Sequence, residues 1–145
     1  MDFPNYDAER GTAMLAAATG TGGGLPGYLG MRFTDVGPGR VVGELEVTEE
    51  LLNPFGAAHG GVIAALVDHV LGAVTVPVVA PGSWPATSEF KLNLLAPARV
   101  GPMRATSTIV ALSRRTAVVR VDVENGGRLI GAAQGTVTIM PPREP

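Results

Sequence analysis

Between Val62 and Ala80 the chain carries a long apolar run, interrupted near its centre by one carboxylate, Asp68, and its neighbour His69. Ile63, Ala64, Leu66, Val67, Val70, Leu71 and Val74 point in most directions around a helix. A helix from Gly60 to about Val76 must therefore be buried on most of its sides. A membrane span is not expected here. A central Asp costs about 2.5–3.5 kcal/mol on insertion scales, and Pro77 and Pro81 stop the helix early. The rest of the chain has to wrap this helix.

The flanking sequence has the pattern for that. Met31–Val36 and Val41–Val47 read as strands around the turn Gly37-Pro38-Gly39, and Val41, Gly43, Leu45 and Val47 alternate with Val42, Glu44 and Glu46. Pro77, Pro81, Gly82 and Pro85 mark an irregular return. Four further strands follow, over Thr87–Leu95, Val100–Leu112, Thr116–Glu124 and Arg128–Met140, the last two joined by the hairpin signal Asn125-Gly126-Gly127. The expected class is α+β: a long central helix wrapped by a curved antiparallel sheet of five to six strands, plus a short peripheral N-terminal helix over Tyr6–Ala18. Thr19-Gly20-Thr21-Gly22-Gly23-Gly24 reads as a flexible connection, because a phosphate loop would end in Gly-Lys-Ser/Thr. Residues 1–27 thus form an N-terminal helix and Gly-rich linker, 28–140 a single domain, and 141–145 a tail.

Composition narrows the function. Of 145 residues 46% are hydrophobic and 17% charged, which fits one domain with a real core. The net charge of −2 comes with no basic block, so no nucleic-acid partner is expected. With no cysteine and only His59 and His69, neither a thiolate nucleophile nor a metal site is expected, and no cofactor. Asp2 and the lack of a basic region before an apolar run argue against a secretory signal, and a cytoplasmic location is expected.

The chemistry concentrates in Asn53-Pro54-Phe55-Gly56-Ala57-Ala58-His59-Gly60-Gly61 and in Asp68. Gly60 and Gly61 open the helix, where free N–H groups and the dipole favour negative charge. A carbonyl bound there is polarised as its oxygen becomes negative. Asn53 can orient a carbonyl or a water, and Asp68 can serve as nucleophile or as general base. Gly60 and Asp68 are eight residues apart, about 12 Å along a helix axis. One chain cannot easily bring both to one carbon, whereas two antiparallel copies can, so a dimeric site is expected if both act.

The pattern Asn-x-x-Gly-x-x-His-Gly-Gly, with Asp seven residues after the last Gly, resembles hotdog-fold acyl-CoA thioesterases of the phenylacetate-degradation and 4-hydroxybenzoyl-CoA thioesterase type. Asn53, Gly56, His59, Gly60, Gly61 and Asp68 match it, and the resemblance runs from about Tyr28 to Met140. It implies a hotdog fold, a homodimer or a homotetramer built from two dimers, and hydrolysis of an acyl-CoA to a free acid and CoA. The alternative is an acyl-CoA-binding protein without catalysis. The resemblance further implies that the Gly60 N–H polarises the thioester carbonyl, Asp68 activates water or attacks directly, and Asn53 orients water or carbonyl. Thr87 falls where relatives carry a Ser or Thr that assists the water, with Ser88 the other candidate. His59, Gly61, Ser88, Arg114 and Arg115 are expected around the substrate, the two arginines at CoA phosphates or, equally, as a solvated turn.

Overall fold

A computed structural model describes residues 1–17 and 23–142. The apolar run forms helix α3, Gly60–Ala73, preceded by α1 (Ala8–Ala17) and α2 (Gly24–Tyr28). The strands are β1 (Arg32–Gly37), β2 (Arg40–Val47), β3 (Trp84–Leu94), β4 (Gly101–Leu112), β5 (Thr116–Asn125) and β6 (Arg128–Met140). They make one six-stranded sheet in the order β1-β2-β4-β5-β6-β3, with every neighbouring pair antiparallel. This is the α+β hotdog architecture that the sequence implied.

The sheet wraps α3, whose Ile63, Leu66, Val67, Val70 and Leu71 are all buried. The inward residues of the sheet meet them: Val41, Leu45 and Val47 of β2, Met103 and Ala105 of β4, and Val119, Val121 and Val123 of β5. Each Val, Leu, Ile or Met among them contributes roughly 1.5–3 kcal/mol on full burial. Two glycines let the layers approach closely. A Cβ on Gly43 would lie 2.5 Å from Val70, and one on Gly135 would lie 2.5 Å from the Glu89 carbonyl and 2.8 Å from Leu71. The run Gly60–Val78 has the length and apolarity of a membrane span, with mean hydropathy 1.8, yet 56% of it is buried inside this fold. Its apolar surface is what fills the concave face of the sheet.

The outer face of the sheet is not uniformly wet. Glu44 is only 8% exposed, because Arg32 at 3.0 Å and Arg104 at 2.6 Å close over its carboxylate. Two charge-assisted partners satisfy the anion that burial would otherwise penalise.

The β5–β6 connection is the expected hairpin, with Asn125 paired to Arg128 so that the loop is Gly126-Gly127 alone, and both glycines have positive φ as a type I′ turn requires. Strand β3 begins at Trp84, three residues before the expected Thr87, and contains Pro85. Proline is tolerated there because β3 is an edge strand, paired only with β6. Helix α2 was not expected from the sequence; its first residue Gly24 has φ +75°. The expected flexible connection falls largely on residues 19–22, outside the described residues.

Helix α1 is fastened rather than peripheral. Tyr6 donates to the Val36 carbonyl at 3.3 Å, Asp7 N–H to Pro77 O at 2.7 Å, and Arg10 Nη1 to Val79 O at 2.7 Å. These bonds hold the N-terminal segment against β1 and the turn that follows α3.

Candidate active site

The loop before α3 is built by Asn53. Its Oδ1 accepts from the N–H groups of Phe55 at 2.9 Å and Ala57 at 3.3 Å, while its own N–H donates to Ala57 O at 2.7 Å. This side chain folds the loop as an Asx turn. What remains for a ligand is its Nδ2 amide, a donor. Gly56 takes the left-handed conformation, φ +75°, and its carbonyl accepts from Arg99 Nη1 at 2.7 Å. The loop is thereby tied to the start of β4 and delivers His59 in a defined pose.

His59 caps α3. Its Nδ1 accepts from Gly61 N–H at 2.9 Å, so neutral His59 carries its proton on Nε2. Val62 N–H donates to the His59 carbonyl at 2.9 Å. Of the first three amides of the helix, two are thus engaged. Gly60 N–H has no acceptor among the described hydrogen bonds, and it stands at the positive end of the helix dipole. Gly61 keeps its place beside Gly60, but its N–H serves the cap.

Asp68 lies two turns further along α3, exposed. It lines an open cleft of about 580 Å³ together with Thr87, His69, Phe33, Met14 and Gly72. Asp68 and Thr87 therefore share one cleft within a single chain, and Gly60 is at the opposite end of the same helix.

The Thr87/Ser88 alternative is separated by a β-bulge. Thr87 pairs with Val137 and Glu89 with Thr136, leaving Ser88 as the extra residue. The bulge turns Thr87 toward α3. Ser88 Oγ instead meets Thr138 Oγ1 at 2.6 Å, so its hydroxyl is already engaged.

Arg114 and Arg115 sit exposed on the β4–β5 turn, which Ser113 Oγ organises by accepting from the N–H groups of Arg115 and Thr116. They line a second hollow, about 790 Å³, with Val79, Leu112 and Pro141. Among the described residues neither arginine forms an ion pair. Their turn faces the Trp84 end of β3, as Thr116 pairs with Thr138 and Trp84 with Met140. That is the end of the sheet nearer Asp68 and Thr87, not the end nearer Gly60.

Phe33 and Met14 are cleft residues that carry no motif, so the sequence did not single them out. Phe33 stacks on His69, ring centroids 4.8 Å apart and planes within 7°. Burial pushes the His69 pKa below the usual 6.5, and the Asp68 charge opposes this only in part. The lowered value fixes a sign. Neutral His69 favours the folded state, so its contribution is complete above the unfolded-chain pKa and is lost as pH falls through the lower folded value. Urea unfolding at a series of pH values should show stability declining below pH 6.5, and His69→Phe should remove that part of the slope. An unchanged slope in His69→Phe would assign the decline to other groups.

Comparison with known proteins identifies the family of this fold. The sequence matches the model of the thioesterase superfamily over residues 55–132. It is 32% identical over 106 residues to human acyl-coenzyme A thioesterase 13, covering 70% of this chain and 72% of that one. It is 27% identical over 122 residues to the 1,4-dihydroxy-2-naphthoyl-CoA hydrolase of Listeria monocytogenes, covering 83% of this chain and 99% of the other. A solved thioesterase from Staphylococcus aureus superposes with a TM-score of 0.76 at 28% identity, over 79% of this chain and 96% of that chain. A family match over more than half of the chain and a relative 32% identical over about 70% of both chains show that the chain belongs to the thioesterase superfamily and is a thioester hydrolase.

Proposed function

We propose that this protein is a cytoplasmic acyl-CoA thioesterase that releases a free carboxylic acid and CoA from a site shared between two copies of the chain. The carrying observation is the separation of the two key groups. Asp68 and Thr87 line one cleft, while the open amide of Gly60 lies at the far end of the same helix.

Two antiparallel α3 helices resolve that separation. Gly61, Ala65 and Asp68 recur on one face of α3 at the helical spacing, and small side chains let two such faces come close. Strand β3 supports the same pairing. It is eleven residues long with one open edge, and open edges of that length are normally covered. A second copy pairing edge to edge would cover it, and two such dimers can make a tetramer.

In this site the thioester carbonyl accepts from Gly60 N–H of one chain, with Asn53 Nδ2 a second donor to carbonyl or water. Asp68 of the other chain faces the carbonyl carbon. As general base it takes a proton from a water held by Thr87 Oγ1, and the C–O bond forms. The resulting oxyanion rests on the helix start. Collapse breaks the C–S bond, and the sulfur departs with the proton that Asp68 had taken. As nucleophile, Asp68 would add to the carbonyl carbon and expel the CoA thiolate, forming an anhydride. Water then opens it to the free acid and the Asp68 carboxylate, the released proton going to the thiolate; either course needs the same placement. His59 and Gly61 hold the helix start beneath the substrate, Ser88 supports the bulge that aims Thr87, and Arg114 and Arg115 meet the CoA phosphates.

The direct test follows thiol release from a panel of aliphatic and aromatic acyl-CoA esters. Turnover of at least one ester is expected. A tight complex with an acyl-CoA and no thiol released over hours would instead make the protein a binder.

A further inference from the structure

Gly72 lies in the last turn of α3, one turn beyond Asp68 on the same face. Glycine is the poorest helix former after proline, so its presence there needs a reason. Conformation supplies none, because Gly72 is not among the glycines with positive φ. Packing within the chain supplies none either: a Cβ would meet Pro85 at 3.8 Å and Thr87 Oγ1 at 4.0 Å, ordinary contacts. Gly43 and Gly135 differ in this respect, since a Cβ on either would collide at 2.5 Å. What Gly72 does provide is open space in the cleft between Asp68 and Thr87.

The walls around that space define what fits it. Met14, Phe33, Val76 and Pro85 are apolar, and among the described residues no Lys or Arg lines the cleft. Phe33 stacked on His69 gives a flat aromatic side. Met14 comes from α1, outside the family match at 55–132, and is held there by the Tyr6, Asp7 and Arg10 hydrogen bonds.

We infer that Gly72 is the specificity-determining residue of the acyl subsite, leaving room beside Asp68 for a neutral, ring-bearing acyl group packed between Met14 and Phe33. This rests on the reading of Asp68 as the group that faces the thioester carbon.

The test compares kcat/KM for benzoyl-CoA and acetyl-CoA in wild type, Gly72→Ala and Gly72→Leu. Gly72→Leu fills the space and is expected to lower the benzoyl-to-acetyl ratio by about tenfold or more. Gly72→Ala should lower it by less while raising the thermal midpoint, as Gly-to-Ala does in a compatible helix. An unchanged ratio in both variants would overturn the inference. So would dissociation of the oligomer in Gly72→Ala, which would assign the glycine to packing between copies. Kd values for the two esters, measured by calorimetry in an Asp68→Asn background, separate this inference from the hydrolase reading. If wild type binds both esters without releasing thiol, the hydrolase reading fails, and the Kd ratio decides the role of Gly72. If neither ester binds, both fail.

Discussion

Asp68→Asn is expected to lower kcat for thioester hydrolysis by about 10²–10⁴-fold, the range for loss of a positioned general base. The amide keeps nearly the size of the carboxylate and cannot take a proton from water. Asp68 is exposed on α3 and is not part of the buried core, so the fold and the oligomer should persist. Steady-state thiol release, with gel filtration alongside, reads both properties. KM should change far less than kcat, because the carboxylate acts on the reacting water rather than on the CoA. Retention of most of the turnover would remove Asp68 from the mechanism. Single turnover in ¹⁸O water adds a one-way test: label recovered in Asp68 itself marks a nucleophile whose anhydride water opens at the Asp68 carbonyl.

Gly60→Pro is expected to cost about 10²–10³ in kcat, the size seen when one oxyanion donor is removed. The structure makes this an unusually clean deletion. Gly60 is the first residue of α3, the position where proline is well accommodated. The preceding His59 already has φ −60° and ψ 135°, an extended conformation that a following proline favours. Gly60 N–H is bonded to nothing among the described hydrogen bonds, so no internal bond is lost. Gly60→Ala is the control. It keeps the N–H and adds one methyl, 3.1 Å from the flexible end of Leu94, so the gap between the two variants isolates the amide. Equal activity of Gly60→Pro and Gly60→Ala would exclude the amide as the oxyanion donor.

The parts of this molecule that were legible in the sequence are those that local pattern dictates. Helix α3 was readable because its residues are apolar nearly all round, which leaves burial inside a sheet as the economical solution. The β5–β6 hairpin was readable because Asn125-Gly126-Gly127 meets the positive-φ demand of a two-residue loop. The distance between Gly60 and Asp68 followed from helical rise alone.

The parts that were not legible depend on tertiary context. Pro85 signals a break, and only its place on an edge strand lets β3 begin at Trp84. Which of Thr87 and Ser88 faces the Asp68 cleft is set by a one-residue bulge against β6, a register effect that no spacing rule records. Helix α1 looked peripheral because its anchors are carbonyls of Val36, Pro77 and Val79, groups that every sequence carries. For the same reason Met14 and Phe33 came to the cleft unannounced. The burial of Glu44 carried no sequence signal, since only the folded sheet brings Arg32 and Arg104 to it.

The shared site has one direct test, complementation between two inactive variants. Asp68→Asn and Gly60→Pro chains are unfolded together, mixed in equal amounts and refolded, each alone serving as its own control. In a heterodimer with two-fold symmetry, one of the two sites receives Gly60 from one chain and Asp68 from the other, both intact. Random pairing should then restore about a quarter of the wild-type rate from two preparations that are each nearly inert. A mixture no more active than its components would show that both residues act within one chain and would contradict the shared site.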